Sequence, residues 1–487
     1  MGVDPQGNAV LGTLLAELAW SPTQLTEAVN SLLGPGYVAR STVSDWVHCG
    51  RLPRHPLPTV VAHLISDTLD REVSLDELWS GRAQPAELWV PADAGMAVPW
   101  TPAGTVEVLD DWLRHTGGSI EMDRRIFLAV SGASLTAPAW AYADHLATRI
   151  GSFAAVANTG RTTITVTPAM VDAISATTAG IRNLGDAEGG HEDNLHLAHH
   201  HLTYVAKLLR QARFTTNTVA KRLLAEWGQL AQQAGWLAHD TGKHGLSQRY
   251  FTSGLHAAHT ASDRSVGVYL LVCMSSCSVH RGRLADGIEM GRAARDAVEL
   301  ANAAHEAARS TPASVRALAA SRFALAQAAV GNARGFHTAA DEARALLDEP
   351  GAADSPPYLA WFGSASLDSQ LAQGALTLAG VTSRNSSGLL DTAESVLGRT
   401  ATDPTSTPRN AVFHAAWLAR AHVAADDLER AAPAGLTALR RLPTVRSRRC
   451  ALILRRLEAD LAALPPTRRP APIRELQDRL RATHAAA

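Results

Sequence analysis

The stretch of residues 40–56 contains the side chains whose types and spacing best fit a chemical task. It reads RSTVSDWVHCGRLPRHP. Val43, Trp46 and Val47 recur at i, i+3 and i+4, which predicts a short helix with one apolar face. The rest of that helix is polar, and a glycine followed by a proline-locked basic turn ends it. A helix buried on one side and polar on the other is typical of a recognition helix in the DNA major groove.

The DNA interpretation assigns base and phosphate contacts to the polar face of this helix and phosphate contacts to the basic turn. The predicted DNA-contacting residues are Arg40, Ser41, Thr42, Ser44, Asp45, His48, Arg51, Arg54 and His55. Trp46 is assigned to the core, because Val43 and Val47 share its face. The alternative interpretation is a helical bundle that serves only in dimerisation.

The charge around the predicted helix is unevenly distributed. Residues 1–80 carry four Arg and nine acidic residues, a net charge of −5. Phosphate neutralisation dominates the affinity of DNA-binding proteins, so this balance is unfavourable. Three of the four arginines nevertheless lie between residues 40 and 54. From residue 440 onward the chain has twelve Arg and four acidic residues, which we interpret as a solvated surface.

A second group of polar and aromatic residues lies near predicted inter-helix turns further along the chain. Its members are Trp236, His239, His244, Tyr250, Tyr269 and His280. On the concave face of a helical solenoid, such residues would line a pocket for a peptide or small-molecule signal. The alternative is ordinary packing between repeats, with Trp236 in the core.

Histidines and cysteines at helical spacing raise the question of a metal site. Residues 191–201 contain five histidines, of which His196 and His200 stand at i, i+4. Cys273, Cys277 and His280 share one helix face. Surface or groove histidines and buried cysteines are the favoured interpretation, so no metal or cofactor is predicted. No nucleophile elbow, phosphate-binding loop, dinucleotide fingerprint or zinc-protease motif occurs, and we do not expect an enzyme.

The elements that must position these residues are almost all helices. Helix pairs recur every 35–50 residues over 220–442, which predicts an α-solenoid. Gly235 and Phe251 match the spacing of the tetratricopeptide signature. The predicted domains are a helix-turn-helix unit (1–81), a Pro/Gly-rich linker with one short helix (82–122), a helical connecting region (123–219) and the solenoid (220–487). The predicted class is all-α.

Composition agrees with a helical chain of several domains. The 487 residues are 46% hydrophobic but only 5% aromatic, so cores built from Ala, Leu and Val are expected. No apolar run reaches the roughly 18 residues of a membrane span, and the first residues lack a signal-peptide pattern. Four cysteines make no disulfide framework. We therefore expect a cytoplasmic protein without a membrane contact.

The N-terminal unit resembles the lambda-repressor-like, XRE-type helix-turn-helix family through residues 41–46 (STVSDW) followed by Gly50. The whole layout resembles actinobacterial regulators that join such a unit to tetratricopeptide repeats. Segments 25–30 (LTEAVN), 234–240 (AGWLAHD) and 245–251 (GLSQRYF) carry the rest of that resemblance.

The resemblance implies a homodimeric transcriptional regulator that binds double-stranded DNA. Its expected role is to repress differentiation or secondary metabolism, with the repeats sensing a peptide or small-molecule signal. The alternative is a repeat scaffold that binds proteins and carries a degenerate helix-turn-helix unit.

Overall fold

A computed structural model gives the fold. It describes residues 7–33, 37–54, 57–69, 71, 73–83, 87–89, 98–116, 125–127, 129–146, 151–157, 164–284, 287–350, 354–382, 387–402, 407–445 and 447–486. Helices dominate this part of the chain, and its strands form only two short pairs. The predicted all-α class is therefore confirmed.

Five helices make the N-terminal unit. They are α1 (Ala9–Glu17), α2 (Pro22–Leu33), α3 (Arg40–His48), α4 (Leu57–Leu69) and α5 (Leu75–Trp79). Ser21 and Gln24 bond reciprocally at the start of α2, and the Ser74 hydroxyl accepts from the Glu77 amide at the start of α5. A small core of Leu, Val, Ile and Trp side chains joins these helices. Val43 of α3 is completely buried in that core.

The segment after this unit is folded into the protein. Strand β1 (Glu87–Trp89) pairs in parallel with β2 (Arg125–Phe127). Helix α6 (Pro102–Thr116) contacts helices of the repeat region, and its Trp112 is 1% exposed. Within the predicted linker 82–122, helix α6 therefore packs into a hydrophobic core. Because prolines and glycines flank this helix, the sequence predicted only a short helix over Val106–Leu113.

Two further short helices and a second strand pair follow. Helices α7 (Ala133–His145) and α8 (Phe153–Ala157) lie between the strand pairs in sequence. Strand β3 (Thr165–Val166) pairs in parallel with β4 (Arg213–Phe214). These two-residue strands pair the segment that precedes the first long helix pair with the segment that follows it.

The rest of the chain is a series of helix pairs. They are α9 (Pro168–Glu188) with α10 (Glu192–Gln211), α11 (Asn217–Asp240) with α12 (His244–Ala261), α13 (Arg264–Leu284) with α14 (Gly287–Ala308), α15 (Ala313–Ala329) with α16 (Ala333–Leu347), α17 (Ser364–Thr382) with α18 (Ser387–Thr402), α19 (Pro408–Ala424) with α20 (Leu428–Arg441), and α21 (Arg448–Ala462) with α22 (Ala471–Ala486). Single 3-10 turns occur at Pro357–Leu359, Leu442–Thr444 and Pro466–Arg468. Short connections make each pair antiparallel.

Consecutive pairs pack side by side. Helix α11 contacts α13, α13 contacts α15, and α15 contacts α17, so first helices of neighbouring pairs adjoin one another. The helix pairs predicted between residues 220 and 442 agree with α11–α20. The pairs α9–α10 and α21–α22 extend the series at both ends. The sequence assigned the former to a connecting region, while the latter falls inside the predicted solenoid range (220–487) but after the last helix pair that the periodicity indicated.

Small residues let these helices approach closely. A Cβ atom at Gly235 of α11 would lie 2.5 Å from the Phe251 ring of α12, and one at Gly254 would lie 2.9 Å from Ala231 Cβ. The predicted relation between Gly235 and Phe251 is therefore a direct contact. Within the described ranges, no helix combines the length and apolar character needed to cross a bilayer.

Two glycine-to-alanine changes should alter stability in opposite directions. Gly235→Ala should lower the free energy of unfolding by about 1–3 kcal/mol, because its methyl group overpacks the Phe251 ring. Gly180→Ala in α9 has no atom within 4 Å of the new methyl group. It should stabilise the protein by about 0.5–1 kcal/mol, since alanine favours helix more than glycine does. Denaturant unfolding measures both, and a shift of the same sign in the two variants would contradict this packing.

Candidate functional site

Helix α3 presents a polar face to solvent. Its apolar side chains Val43 and Trp46 are 0% and 2% exposed, because both enter the N-terminal core. The Arg40 side chain is 73% exposed, and Thr42 and His48 are exposed as well. Ser41 is also exposed, while Ser44 and Asp45 are partly buried. The helix therefore has the two-sided character that a groove-binding helix needs.

An ion pair ties the basic turn to this helix. Arg51 Nη1 lies 2.6 Å from Asp45 Oδ2. The backbone amides of Cys49 and Arg51 both donate to the Asp45 carbonyl oxygen. Gly50 between them has φ 60°, a left-handed conformation that glycine adopts without steric cost. The turn is thus held against the end of α3.

The other predicted contacts differ in their surroundings. Arg40 Nη2 lies 3.8 Å from Glu27 Oε1, an exposed pair. Arg54 is exposed, and no carboxylate of the described residues lies within 4 Å of it. His55 lies outside the described residues. Exposed ion pairs contribute about 0–1 kcal/mol, so a phosphate could replace Asp45 or Glu27 as partner of these arginines.

Four of the six residues predicted to line a ligand pocket meet in the repeat region. The His239 ring centroid lies 5.0 Å from that of His244, 5.7 Å from that of His280 and 5.9 Å from that of Trp236. His239 and His244 also border a small enclosed cavity beside Cys277 that has room for about one water molecule.

The two tyrosines of that prediction lie elsewhere. Tyr250 is completely buried, and its hydroxyl lies 2.7 Å from His199 Nδ1 in the core that also contains Trp112. Tyr269 stacks on Tyr358 with ring centroids 5.4 Å apart. The predicted group is therefore divided. Sequence spacing placed Tyr250 on α12 correctly but not on the side of that helix that faces α10.

A buried carboxylate adjoins the histidine group. The Asp240 side chain is 0% exposed, with Arg449 Nε 3.7 Å from Oδ1 and Arg409 Nη1 3.9 Å from Oδ2. Arg409 also bonds Asp186 at 2.7 Å and the Gly185 carbonyl oxygen at 3.1 Å. We call Asp240, Arg409 and Arg449 the central ion cluster. It joins α11 to α19 and α21, which follow about 170 and 210 residues later.

Two aromatic rings lie against Arg449 of the central ion cluster. The Arg449 guanidinium carbon lies 5.2 Å from the Trp236 ring centroid and 4.6 Å from that of Phe413. Such cation–π contacts are strongest where water is excluded. The segment around Asp240 was noticed in the sequence, but no local pattern indicates that Arg409 and Arg449 are its partners.

No protein-family model, curated protein or solved structure matches this chain. Its function has to be inferred from its own residues and contacts.

The histidine and cysteine groups do not form a metal centre in the described part of the chain, where no set of three or more His, Cys, Asp or Glu side chains could bind one ion. His196 and His200 are connected through a 2.9 Å contact between His200 Nδ1 and the His196 carbonyl oxygen. Burial raises the pKa of Cys273 to about 12 and that of Cys277 well above its usual value. Both sulfurs are therefore neutral thiols and poor nucleophiles at neutral pH.

Removing the central carboxylate should strongly destabilise the protein. Asp240→Asn leaves Arg409 and Arg449 without their shared charge partner, and breaking a buried ion pair costs about 3–5 kcal/mol. Asp172→Asn is the matched control, because Asp172 pairs with Arg222 on the surface at 2.6 Å. It should cost less than about 1 kcal/mol. Denaturant unfolding compares the two variants. A similar loss of unfolding free energy in both would show that the central ion cluster stabilises the protein no more than an exposed ion pair does.

His239 should make stability depend on pH. Burial lowers the pKa of His239 to about 4, with Arg449 and Arg281 adding to the shift and Asp240 opposing it. The unfolded chain, with a histidine pKa of about 6.5, binds the proton first as pH falls. Stability is therefore lost progressively between about pH 6.5 and 4. At pH 5 the loss should be about 2 kcal/mol relative to pH 7.5.

His239→Gln should remove this part of the pH dependence, whereas His337→Gln, at an exposed position of α16, should leave it unchanged. Unfolding measured at pH 7.5 and pH 5 gives the comparison. If the stability lost on acidification is the same in wild type and His239→Gln, His239 is not the group responsible.

Proposed function

We propose that this chain is a DNA-binding transcriptional regulator whose N-terminal unit contacts the operator and whose helix pairs sense a signal and dimerise. The observation that carries the proposal is the two-sided character of α3. Val43 and Trp46 are buried in the core, while Arg40, Thr42 and His48 face solvent. A recognition helix is expected to have one face buried in its domain and a polar face exposed to the DNA.

The basic turn after α3 supports the same role. Arg51 and Arg54 follow directly on the carboxyl end of α3 and are exposed. The Asp45 contact holds Arg51 in place without burying its charge, since the Arg51 side chain is 72% exposed. On this proposal the turn grips phosphates while α3 approaches the base edges.

The acidic balance of residues 1–80 predicts weak binding by a single copy. Two copies on a palindromic operator would bind more tightly, because the second contact becomes intramolecular. We therefore propose a homodimer, with α3 of each copy in successive major grooves.

The helix pairs support a tetratricopeptide-like sensing region. Gly235 in the first helix and Phe251 in the second make the close contact that the signature spacing predicts. The group around His239 provides polar and aromatic side chains where several first helices meet. We propose that a signal changes the curvature of the series and thereby the spacing of the two α3 helices. A cytoplasmic repressor of differentiation or secondary metabolism is the role that the sequence resemblance favours.

A repeat scaffold with a degenerate helix-turn-helix unit is the second candidate. One observation favours it: Arg40 and Arg51 each have a carboxylate partner in their own domain. Any DNA contact must compete with those partners.

Arg51→Ala combined with Arg54→Ala should abolish the gel shift of the protein's own promoter fragment. In the single variants Arg51→Ala and Arg54→Ala, each lost phosphate contact should reduce the slope of log affinity against log salt by about 0.9. Arg71→Ala is the matched control, because Arg71 pairs with Glu17 and Glu77 away from α3. It should bind as wild type does.

The regulator proposal fails if the unmutated protein shows no preference for the promoter fragment over competitor DNA at physiological salt. Capture of a defined protein partner by a variant lacking residues 1–80 would then favour the scaffold.

A further inference from the structure

Arg322 of α15 is a half-buried cation with no counter-ion among the residues that the structure describes. Its Nη1 donates to Gln370 Oε1, and its guanidinium carbon lies 6.0 Å from the Trp361 ring centroid. Its Nε is shielded from solvent and has no hydrogen-bond partner in the described ranges. No carboxylate of the residues that the structure describes forms an ion pair with this guanidinium within 4 Å.

Other shielded arginines of this protein do have carboxylate partners. Arg210 pairs with Asp110 at 2.5 Å, and Arg249 pairs with Asp111 at 3.0 Å. Arg420 pairs with Asp460, also at 2.5 Å. These three arginines each have an acidic partner, whereas none of the described residues supplies one to Arg322.

The neighbours of Arg322 do not supply negative charge at neutral pH. Burial raises the pKa of Cys273 to about 12, and burial also raises the pKa of Tyr269 above its usual value. Burial lowers the pKa of Arg322 to about 10, and the charge of Arg449 adds to that shift. Arg322 therefore remains protonated at pH 7, in the field of a second arginine. A half-buried cation whose Nε is shielded from water is unfavourable unless an anion joins it.

An exposed aromatic side chain, Trp361, lies beside Arg322. Trp361 is 40% exposed, although large side chains of this type are usually buried. It lies in the connection between α16 and α17, just before α17 begins. A ligand held by both residues would link the α15–α16 pair to the start of the next pair.

We propose that Arg322 and Trp361 form a binding site for a small ligand that carries an oxyanion, either a carboxylate or a phosphate. The guanidinium fork matches two oxygens of either group. The Trp361 ring offers a face for the rest of the ligand. This site rests on the proposed sensing function and makes it more specific: the signal would carry a negative charge and would bind beside α15.

Thermal unfolding of the full chain at pH 7.5 tests the site with sodium phosphate and sodium malonate as probes. Sodium chloride at matched ionic strength is the reference. A ligand that binds only the folded state raises Tm in a saturable way. We expect such a rise with at least one probe, and which probe produces it identifies phosphate or carboxylate chemistry.

Arg322→Gln should raise the apparent Kd of the effective probe at least tenfold. Arg334→Gln, at an exposed arginine of the partner helix α16, should leave it unchanged. Trp361→Ala keeps the charge and should weaken binding less than Arg322→Gln does. It also serves as the test variant if Arg322→Gln does not fold, and it should then raise the apparent Kd measurably.

The inference is wrong if neither probe raises Tm beyond chloride, or if Arg334→Gln loses the effect as fully as Arg322→Gln. Equal binding by wild type and Trp361→Ala would remove Trp361 from the site. The titration contains no DNA, so its failure leaves DNA binding by α3 unaffected. Conversely, loss of promoter binding would not alter the titration.

Discussion

The buried carboxylate of Asp240 is the constraint on which the arrangement of the helix pairs depends. Repeat proteins usually hold together through contacts between neighbours alone. Here Arg409 and Arg449 reach back to a residue of a much earlier helix pair. Because an uncompensated carboxylate at this depth is unfavourable, these contacts favour an arrangement in which α19 and α21 stay packed near α11. We call the series of helix pairs over this span a closed unit, since its two ends are linked through Asp240.

On the proposed sensing function, this closed unit lies between the ligand site and the N-terminal unit. Helix α12 follows Asp240 after a short turn and contacts α2, α6 and α7. A change in the relation between α15 and α17 would act on the same closed unit, since α15 contacts α13 and α13 contacts α11 and α12. Coupling of this kind requires an element with two discrete arrangements. The central ion cluster, with its aromatic surroundings, is the element that a second arrangement would have to break.

Sequence periodicity predicted the helix pairs α11–α20 because each pair has an apolar face and a glycine-containing or polar turn of its own. The capping contacts of Ser21 and Ser74 are equally local, since each serine accepts from an amide three residues further on. Contacts between distant helices left no such signal. The partners of Asp240 are one example, and the turning of Tyr250 toward His199 is another. Periodicity shows which face of a helix is apolar, whereas the choice between two neighbours depends on the whole packing.

Helix α6 changes where the protein can be divided. It lies in the segment that composition marks as a spacer, yet Trp112 packs edge-on against Trp227 of α11, and the Thr105 hydroxyl meets that of Thr260 in α12 at 2.7 Å. A recombinant fragment that begins at residue 123 would leave this surface open to water and prone to aggregation. A fragment intended to contain the helix pairs alone should therefore keep both α6 and β1, the partner of β2, and begin before residue 87.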